Sequence, residues 1–167
     1  NECTQWQQLV LPKIAALKPE VLVVTDQWKP AVIDGQKSDF DTLGVWESEF
    51  PKALARLNGY AKKLVVIGNN PSMQQDPATC ASKPRANLAL CASGRGQAGN
   101  TKFNEIEKAA ATNLRATYID TVDYACSQYL CPVVINSIFV YFDQWHFTNT
   151  YITWLTPVLS KAIGISG

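Results

Sequence analysis

Short, continuously apolar runs alternate with helix-like patterns along most of this chain. Val21–Thr25 and Lys63–Gly68 are runs of the kind that is buried on both faces of a parallel sheet. Ala116–Asp120 is a third, shorter run, and Pro132–Ile135 and Ile138–Tyr141 read as two short strands joined by a tight turn. This alternation predicts a three-layer α/β/α fold with a mainly parallel sheet.

In four segments the apolar residues recur every three or four positions, as the inner stripe of an amphipathic helix requires. These segments are residues 5–18, 45–57, 102–114 and a final helix with Thr148 as its N-cap. Residues 29–43 lie between two of these elements and are predicted to be a surface loop. The predicted inner stripes are Trp6, Val10, Ile14 and Leu17; Phe50, Leu54 and Leu57; Phe103, Ile106, Ala110 and Leu114; and Tyr151, Trp154, Leu155, Val158, Leu159 and Ala162.

Length and charge narrow the class of protein. A chain of 167 residues with 47% hydrophobic content predicts a single domain over residues 1–167. The net charge is +1, from 15 basic and 14 acidic residues, so nothing in the charge balance favours a nucleic-acid partner. The apolar runs are strand-sized, which is too short to span a bilayer.

The five cysteines predict disulfides and therefore an oxidising, extracytoplasmic setting. Cys80 and Cys91 bracket one loop, and Cys126 and Cys131 bracket four residues, so each pair is predicted to form a local bridge. Cys3 is left over, and its partner is expected upstream of residue 1 or on another molecule. A single histidine in the chain gives no support for a metal site.

The candidate chemistry lies in the stretch that leads into the last helix. His146 is the only histidine, and Asp143 stands three residues before it. In a tight turn this spacing lets the carboxylate accept a hydrogen bond from Nδ1–H, which leaves Nε2 free to take a proton from a hydroxyl. The alternative is a histidine whose hydrogen bond to an acid is only structural.

Three loops are expected to meet near this histidine. In parallel sheets the reactive groups gather at the carboxyl ends of the strands. Asp26–Trp28 follows the first apolar run, Gly68–Pro71 follows the second, and the turn at residues 143–146 is the third. No serine follows a buried strand in a sharp turn that would present its hydroxyl to a base. The serines considered, all expected in loops or on helix surfaces, are Ser38, Ser48, Ser72, Ser82 and Ser93.

The order of these pieces resembles the extracytoplasmic, SGNH-hydrolase-like (flavodoxin-like) domain at the C-terminus of bacterial acyltransferase-3 membrane proteins. Those proteins O-acylate sugars and glycolipids of the cell envelope. The resemblance is carried by residues 23–28 (VVTDQW), 64–71 (LVVIGNNP), 118–120 (YID), 126–134 (CSQYLCPVV) and 141–148 (YFDQWHFT).

The resemblance implies a Ser-His-Asp triad in which Asp143 is the acid and His146 the base. The family's serine lies in a Gly-Asp-Ser motif after the first strand, and this chain contains no such motif. We therefore expect a segment ahead of residue 1 that carries the serine, the first strand of the sheet and a cysteine for Cys3. Without that segment the sheet is expected to lack an inner strand.

The implied activity is O-acyl transfer through an acyl-serine, with hydrolysis if water replaces the sugar and with no cofactor. Backbone amides around Gln27 and the side chain of Asn69 or Asn70 are candidate oxyanion donors. Trp28 and Trp145 are candidates for an apolar wall against a glycan or an acyl chain. The implied partners are an acyl donor delivered by a membrane acyltransferase domain and a glycan or glycolipid acceptor, and the domain is expected to be monomeric.

Two other functions remain open from the sequence. One is a non-catalytic module that binds a glycan or a protein partner at the cell surface. The other is a thiol–disulfide exchanger that uses Cys126 and Cys131, although four intervening residues favour a structural bridge.

Overall fold

The structure, a computed structural model, describes residues 2–27, 31–33, 36–38, 42–98 and 101–165. Its helices are α1 (Glu2–Leu17), α2 (Thr42–Leu57), α3 (Pro77–Ala81), α4 (Leu88–Cys91), α5 (Thr101–Asn113), α6 (Val122–Ala125) and α7 (Asn149–Ile163), with a 3-10 turn at Arg95–Gln97. Its strands are β1 (Val21–Thr25), β2 (Ala31–Ile33), β3 (Gln36–Ser38), β4 (Lys63–Ile67), β5 (Ser93–Gly94), β6 (Thr117–Ile119), β7 (Leu130–Cys131), β8 (Val134–Ile135) and β9 (Ile138–Phe139).

The chain divides into two compact units. Unit 1 comprises Asn1–Ile67 and Glu105–Ile119, and unit 2 comprises Gly68–Asn104 and Asp120–Gly167. Each unit has its own cluster of buried apolar side chains. The single domain expected from the length stays a prediction.

Unit 1 contains the parallel sheet, in the strand order β1-β4-β6. β1 pairs with β4 from Val21 opposite Lys63 to Thr25 opposite Ile67. β4 also pairs with β6, in parallel, over three residue pairs. The predicted α/β fold with a mainly parallel sheet is confirmed. β1 and β4 are direct neighbours, so no open position separates these two strands, and the additional strand stays a prediction.

The core of unit 1 forms where α2 and α5 bring apolar side chains onto β4. Its buried members are Phe50, Leu54, Leu64, Val66, Ala110 and Ala111. Burial of each large apolar side chain stabilises the fold by about 1.5–3 kcal/mol. Phe50, Leu54 and Ala110 confirm the predicted stripes, and Leu57 and Leu114 are half-buried against them. Phe103 and Ile106 of α5 are also half-buried.

Several expectations for unit 1 were wrong. Trp6 and Leu17 of α1 are exposed and do not line the core. Val23 is also exposed, and β1 has a paired neighbour on one side only among the described strands. The predicted loop at residues 29–43 contains an antiparallel pairing of β2 with β3, and α2 begins at Thr42.

Unit 2 is built from short elements held by two disulfides and a hairpin. Both predicted bridges are present, Cys80–Cys91 between α3 and α4 and Cys126–Cys131 beside β7. β8 pairs with β9 across Asn136 and Ser137, which both adopt positive φ, as a two-residue type I′ turn requires. The predicted hairpin is therefore confirmed.

Helix α7 is the last element of unit 2. Thr148 is its N-cap, as predicted: its hydroxyl accepts the backbone N–H of Tyr151. Tyr151 and Leu155 are buried, but Trp154 and Val158 are exposed and are not part of the core. In the described part of the chain, no helix has both the length and the apolar character needed to cross a membrane.

Candidate active site

Asp143 and His146, called the dyad from here on, lie in an antiparallel turn of unit 2. Tyr141 forms an isolated antiparallel bridge with Phe147. The backbone N–H of Phe142 donates to the carbonyl of His146 at 2.8 Å, and that of Thr148 donates to the carbonyl of Val140 at 2.8 Å. These two bonds hold both sides of the turn, so the residues between them have a defined position.

Asp143 organises the turn from inside. Its Oδ1 accepts the backbone N–H of Trp145 at 2.7 Å and that of His146 at 2.8 Å. Nδ1 of the His146 ring lies 3.0 Å from Oδ1 and 2.8 Å from Oδ2 of the same carboxylate. The hydrogen bond expected from the three-residue spacing is therefore present. The catalytic role of the pair stays a prediction.

The environment keeps Asp143 ionised. Partial burial would raise the pKa of this carboxyl, but the hydrogen bonds from the Trp145 backbone and from the ring and backbone of His146 outweigh it, so the pKa lies below its ordinary value. An ionised carboxylate can only accept, which assigns the shared ring proton to Nδ1. Nε2 has no hydrogen-bond partner among the described residues, and the His146 side chain is 61% exposed, against 28% for Asp143.

The loop that follows β4 forms hydrogen bonds with this turn. The backbone N–H of Met73 donates to the carbonyl of Gln144 at 2.8 Å, and Nε2 of Gln144 donates to the carbonyl of Met73 at 3.3 Å. Nδ2 of Asn70 donates to the carbonyl of Trp145 at 3.4 Å. The predicted meeting of the loop that follows β4 with the loop that carries the dyad is thus observed within unit 2.

Asn69 is buried, and its backbone is held on both sides by Asn104. Its N–H donates to Oδ1 of Asn104 at 3.1 Å, and Nδ2 of Asn104 donates back to the Asn69 carbonyl at 3.1 Å. The hydroxyl of Thr121 donates to the same carbonyl at 2.7 Å. The sequence analysis missed Asn104 and Thr121. For Asn104, the available signal was its position directly after Phe103, which lies on the predicted inner stripe of α5.

The remaining sequence candidates are distributed as follows. The Trp145 side chain is 50% exposed beside the dyad. Gln27 follows β1 in unit 1 and is exposed, whereas Trp28 lies outside the described residues. Ser93, expected to be a solvent-exposed serine, is buried in β5 with its hydroxyl accepting the N–H of Gln74 at 2.9 Å. In the described ranges, no cluster of three or more acidic, histidine or cysteine side chains is placed to hold a metal ion.

Three aromatic side chains, which we call the aromatic row, pack against one another between the turn and α7. They are Tyr141, Phe147 and Tyr151. The Tyr141 and Phe147 rings are 5.5 Å apart, and Phe147 meets Tyr151 edge-on at 5.4 Å. Tyr141 and Tyr151 are fully buried. Such aromatic pairs stabilise a fold beyond the area they bury, by about 0.5–1.5 kcal/mol each. The row therefore anchors both sides of the turn to the first helical turn of α7.

Two solved structures share this α/β architecture. The periplasmic domain of a lipopolysaccharide acetyltransferase from Salmonella ser. Paratyphi A is 14% identical with a TM-score of 0.63, and the match covers 92% of this chain and 60% of that chain. An acetyl-xylooligosaccharide esterase from Geobacillus Stearmophilus, the Axe2 W190I mutant, is 10% identical with a TM-score of 0.55, covering 97% and 68%. At these identities the likeness concerns the fold, and this chain spans about 60% of the length of the acetyltransferase domain.

Residues 1–161 match the family described as the SGNH domain fused to AT3 domains, and the chain belongs to that family. The predicted resemblance is therefore confirmed. No curated protein matches the chain. The family supports acyl transfer or ester hydrolysis as the general class of chemistry.

Proposed function

We propose that this chain is the SGNH-type part of an O-acyltransferase that modifies hydroxyl groups of cell-envelope glycans or glycolipids. The observation that carries the proposal is the Asp143–His146 pair, in which the carboxylate binds Nδ1 and the ring remains open at Nε2. This is the arrangement by which serine hydrolases activate an alcohol. The family association with AT3 domains supports an acyl donor delivered by the membrane part of the same protein.

In the proposed first half-reaction, a serine that lies outside this chain attacks the acyl carbonyl. Its hydroxyl proton passes to Nε2 of His146 as the Oγ–C bond forms. The imidazolium, stabilised by Asp143, then gives this proton to the leaving group as its bond to the acyl carbon breaks. The acyl group is now esterified to the serine, and His146 is neutral again.

In the second half-reaction, a sugar hydroxyl takes the place of the leaving group. His146 removes its proton as the hydroxyl oxygen attacks the acyl-serine, and the proton returns to the serine Oγ as the ester breaks. Water in place of the sugar gives hydrolysis. A donor for the oxyanion is proposed from Asn69 or Asn70 in the loop that follows β4, and it would contribute about 3 kcal/mol to transition-state stabilisation.

The proposed location is extracytoplasmic, in the cell envelope. Two disulfides within unit 2 support this location, because such bonds persist in oxidising compartments. The AT3 association supports attachment to a membrane protein. We propose that the domain acts there as a monomer.

The test is His146→Gln in the full-length protein, with release of p-nitrophenol from p-nitrophenyl acetate as the readout. Glutamine can still donate an N–H to Asp143 but cannot act as the base, so the turn is retained while the chemistry is removed. We expect kcat/KM to fall by at least about 10³-fold with an unchanged Tm.

Unchanged turnover in this variant would remove His146 from the mechanism. Labelling of the wild-type protein by a fluorophosphonate separates the proposal from its main rival. A non-catalytic glycan- or partner-binding module would not be labelled, whereas the acyl-serine mechanism requires labelling.

A further inference from the structure

We propose that Asn70 and Gln144 are positioning residues for the base His146, because their side-chain amides help to hold the two peptide groups that lead into it. The inference rests on the function proposed above, since it concerns the same reaction. Neither side chain takes a proton in that mechanism. The sequence analysis considered Asn70 only as an oxyanion donor and gave Gln144 no role.

The first of these peptide groups joins Gln144 to Trp145. Its carbonyl accepts the N–H of Met73 at 2.8 Å, and its N–H donates to Oδ1 of Asp143 at 2.7 Å. The Gln144 side chain adds a further bond, from Nε2 to the carbonyl of Met73 at 3.3 Å. Met73 therefore both donates a hydrogen bond to Gln144 and accepts one from it.

The second peptide group joins Trp145 to His146. Its carbonyl accepts Nδ2 of Asn70 at 3.4 Å, and its N–H donates to Oδ1 of Asp143 at 2.8 Å. In both peptide groups the N–H is thus held by Asp143 and the carbonyl by the loop that follows β4. Because a peptide group is planar and rigid, bonds at both of its ends fix its orientation, and with it the direction in which the chain enters His146.

These bonds connect an exposed residue to the buried core of unit 2. The His146 side chain is 61% exposed, so burial contributes little to its position. Met73 is 2% exposed and belongs to the apolar core of unit 2. The backbone of the preceding residue is also held, since the N–H of Ser72 donates to the carbonyl of Ala98 at 2.7 Å. The loop that holds the two carbonyls is therefore itself fixed.

The position of the base matters most when the leaving group needs a proton. In the proposed mechanism Nε2 of His146 gives its proton to the leaving group as the bond to the acyl carbon breaks. An ethoxide leaving group requires this proton, whereas p-nitrophenolate leaves without it. A misplacement of about 1 Å can reduce the rate by about 10²-fold. Displacement of His146 should therefore impair cleavage of an ethyl ester more than that of a p-nitrophenyl ester, whereas loss of an oxyanion donor should impair both equally.

The test compares Asn70→Ala and Gln144→Ala in the full-length protein on p-nitrophenyl acetate and on ethyl acetate, the second followed by pH-stat titration. Turnover is expressed per site labelled by a fluorophosphonate, so that misfolded protein is not counted. We expect kcat/KM to fall about tenfold for the first ester and about 100-fold for the second, with KM changed by less than about twofold. Asn70→Asp and Gln144→Glu keep the shape of the side chain but lose the donor, and they should be no more active than the alanine variants.

Gln75→Ala is the matched control. Nε2 of Gln75 donates to the carbonyl of Leu90 at 2.7 Å, which is the same kind of bond from the same loop to a carbonyl outside the dyad turn. The control should lower Tm as much as the two test variants do, because one amide-to-carbonyl bond is lost in each. It should leave kcat/KM for both esters within about twofold of wild type.

Four results would overturn the positioning role. Equal losses for the two esters would assign the amides to the oxyanion. Equal losses in Gln75→Ala would show only a general loosening of the loop. Turnover restored in Asn70→Asp or Gln144→Glu would show that the donor is not needed. Wild-type turnover of both esters in either alanine variant would reject the role for that residue.

This inference and the catalytic proposal can fail separately. Unchanged turnover in His146→Gln would reject the catalytic proposal, and with it the positioning of a base. Loss of turnover in His146→Gln, together with normal cleavage of both esters by Asn70→Ala and Gln144→Ala, would keep the mechanism and reject the positioning residues.

Discussion

Asp143 binds His146 twice, with Oδ1 2.8 Å from the backbone nitrogen and Oδ2 2.8 Å from Nδ1 of the ring. One carboxylate therefore sets both the path of the chain and the orientation of the imidazole. A histidine held only through its ring could rotate away when the surrounding loop moves. Here the same group that fixes the tautomer also fixes the residue that carries the ring.

These two roles of Asp143 can be separated by substitution. In Asp143→Asn the amide oxygen can still accept the N–H groups of Trp145 and His146, but the negative charge is lost. We expect p-nitrophenyl acetate turnover to fall by about 10⁴-fold with a small change in the free energy of unfolding. Asp143→Ala should lose the same activity and a further ~1 kcal/mol of stability.

Urea unfolding of both variants, combined with the esterase assay of the full-length protein, checks this prediction. Equal stability of Asp143→Asn and Asp143→Ala would show that the backbone hydrogen bonds contribute nothing. Activity retained in Asp143→Asn would show that the charge is not needed.

The lowered pKa of Asp143 predicts a pH dependence of stability. The folded carboxyl has a lower pKa than the unfolded one, which titrates near the ordinary value of about 3.9. Its contribution is therefore fully present above the unfolded value and is lost as the pH falls through the folded value. The difference in urea midpoint between wild type and Asp143→Asn should shrink as the pH falls from 5 to 2. A difference that grows over this range would contradict the assignment.

The two buried tyrosines of the aromatic row, Tyr141 and Tyr151, can be compared by the same substitution to phenylalanine. The hydroxyl of Tyr141 is buried and has no hydrogen-bond partner among the described residues. Burial raises the pKa of Tyr141 above its ordinary value, and Tyr151 adds to the effect, so the hydroxyl remains neutral. Removal of an unpaired buried polar group should stabilise the protein, and we expect Tyr141→Phe to raise the free energy of unfolding by about 1 kcal/mol.

Tyr151→Phe should have the opposite sign. The Tyr151 hydroxyl donates to the carbonyl of Tyr124 at 2.6 Å, and its loss leaves that carbonyl without this bond. We expect a decrease of about 1 kcal/mol in the free energy of unfolding. Urea denaturation of the two variants under one set of conditions checks both signs, and equal effects would reject the assignment of the two hydroxyls.

Thr148 links the dyad turn to α7. Its hydroxyl accepts the N–H of Tyr151 at 3.1 Å and donates to the carbonyl of Phe139 at 2.6 Å. Thr148→Ala removes both bonds and should destabilise the protein by about 1–2 kcal/mol. Thr148→Ser keeps the hydroxyl and should recover most of this loss. Thermal unfolding of the two variants checks the prediction, and equal Tm values would mean that the cap is not stabilising.

Much of unit 1 could be predicted from the sequence because its signals are local. The bounds of β1 agree with the apolar run, and those of β4 differ by one residue at the end. Phe50 and Leu54 were predicted to face inward from helical periodicity alone, and both are buried. The exposed face of α1 was not predictable, because periodicity shows that a stripe is apolar but not whether another element covers it.

In the candidate site, too, some features follow from local sequence and others depend on the tertiary structure. The sequence by itself determined the Asp143–His146 pair, both disulfides and the Thr148 cap, because each depends on residues that are close along the chain. Only the tertiary structure decided that Asn104 holds Asn69, that Met73 holds Gln144 and that Phe142 faces outward beside His146. Those relationships join segments that are distant in sequence or depend on strand register, and no local pattern encodes register when the strands are only two or three residues long.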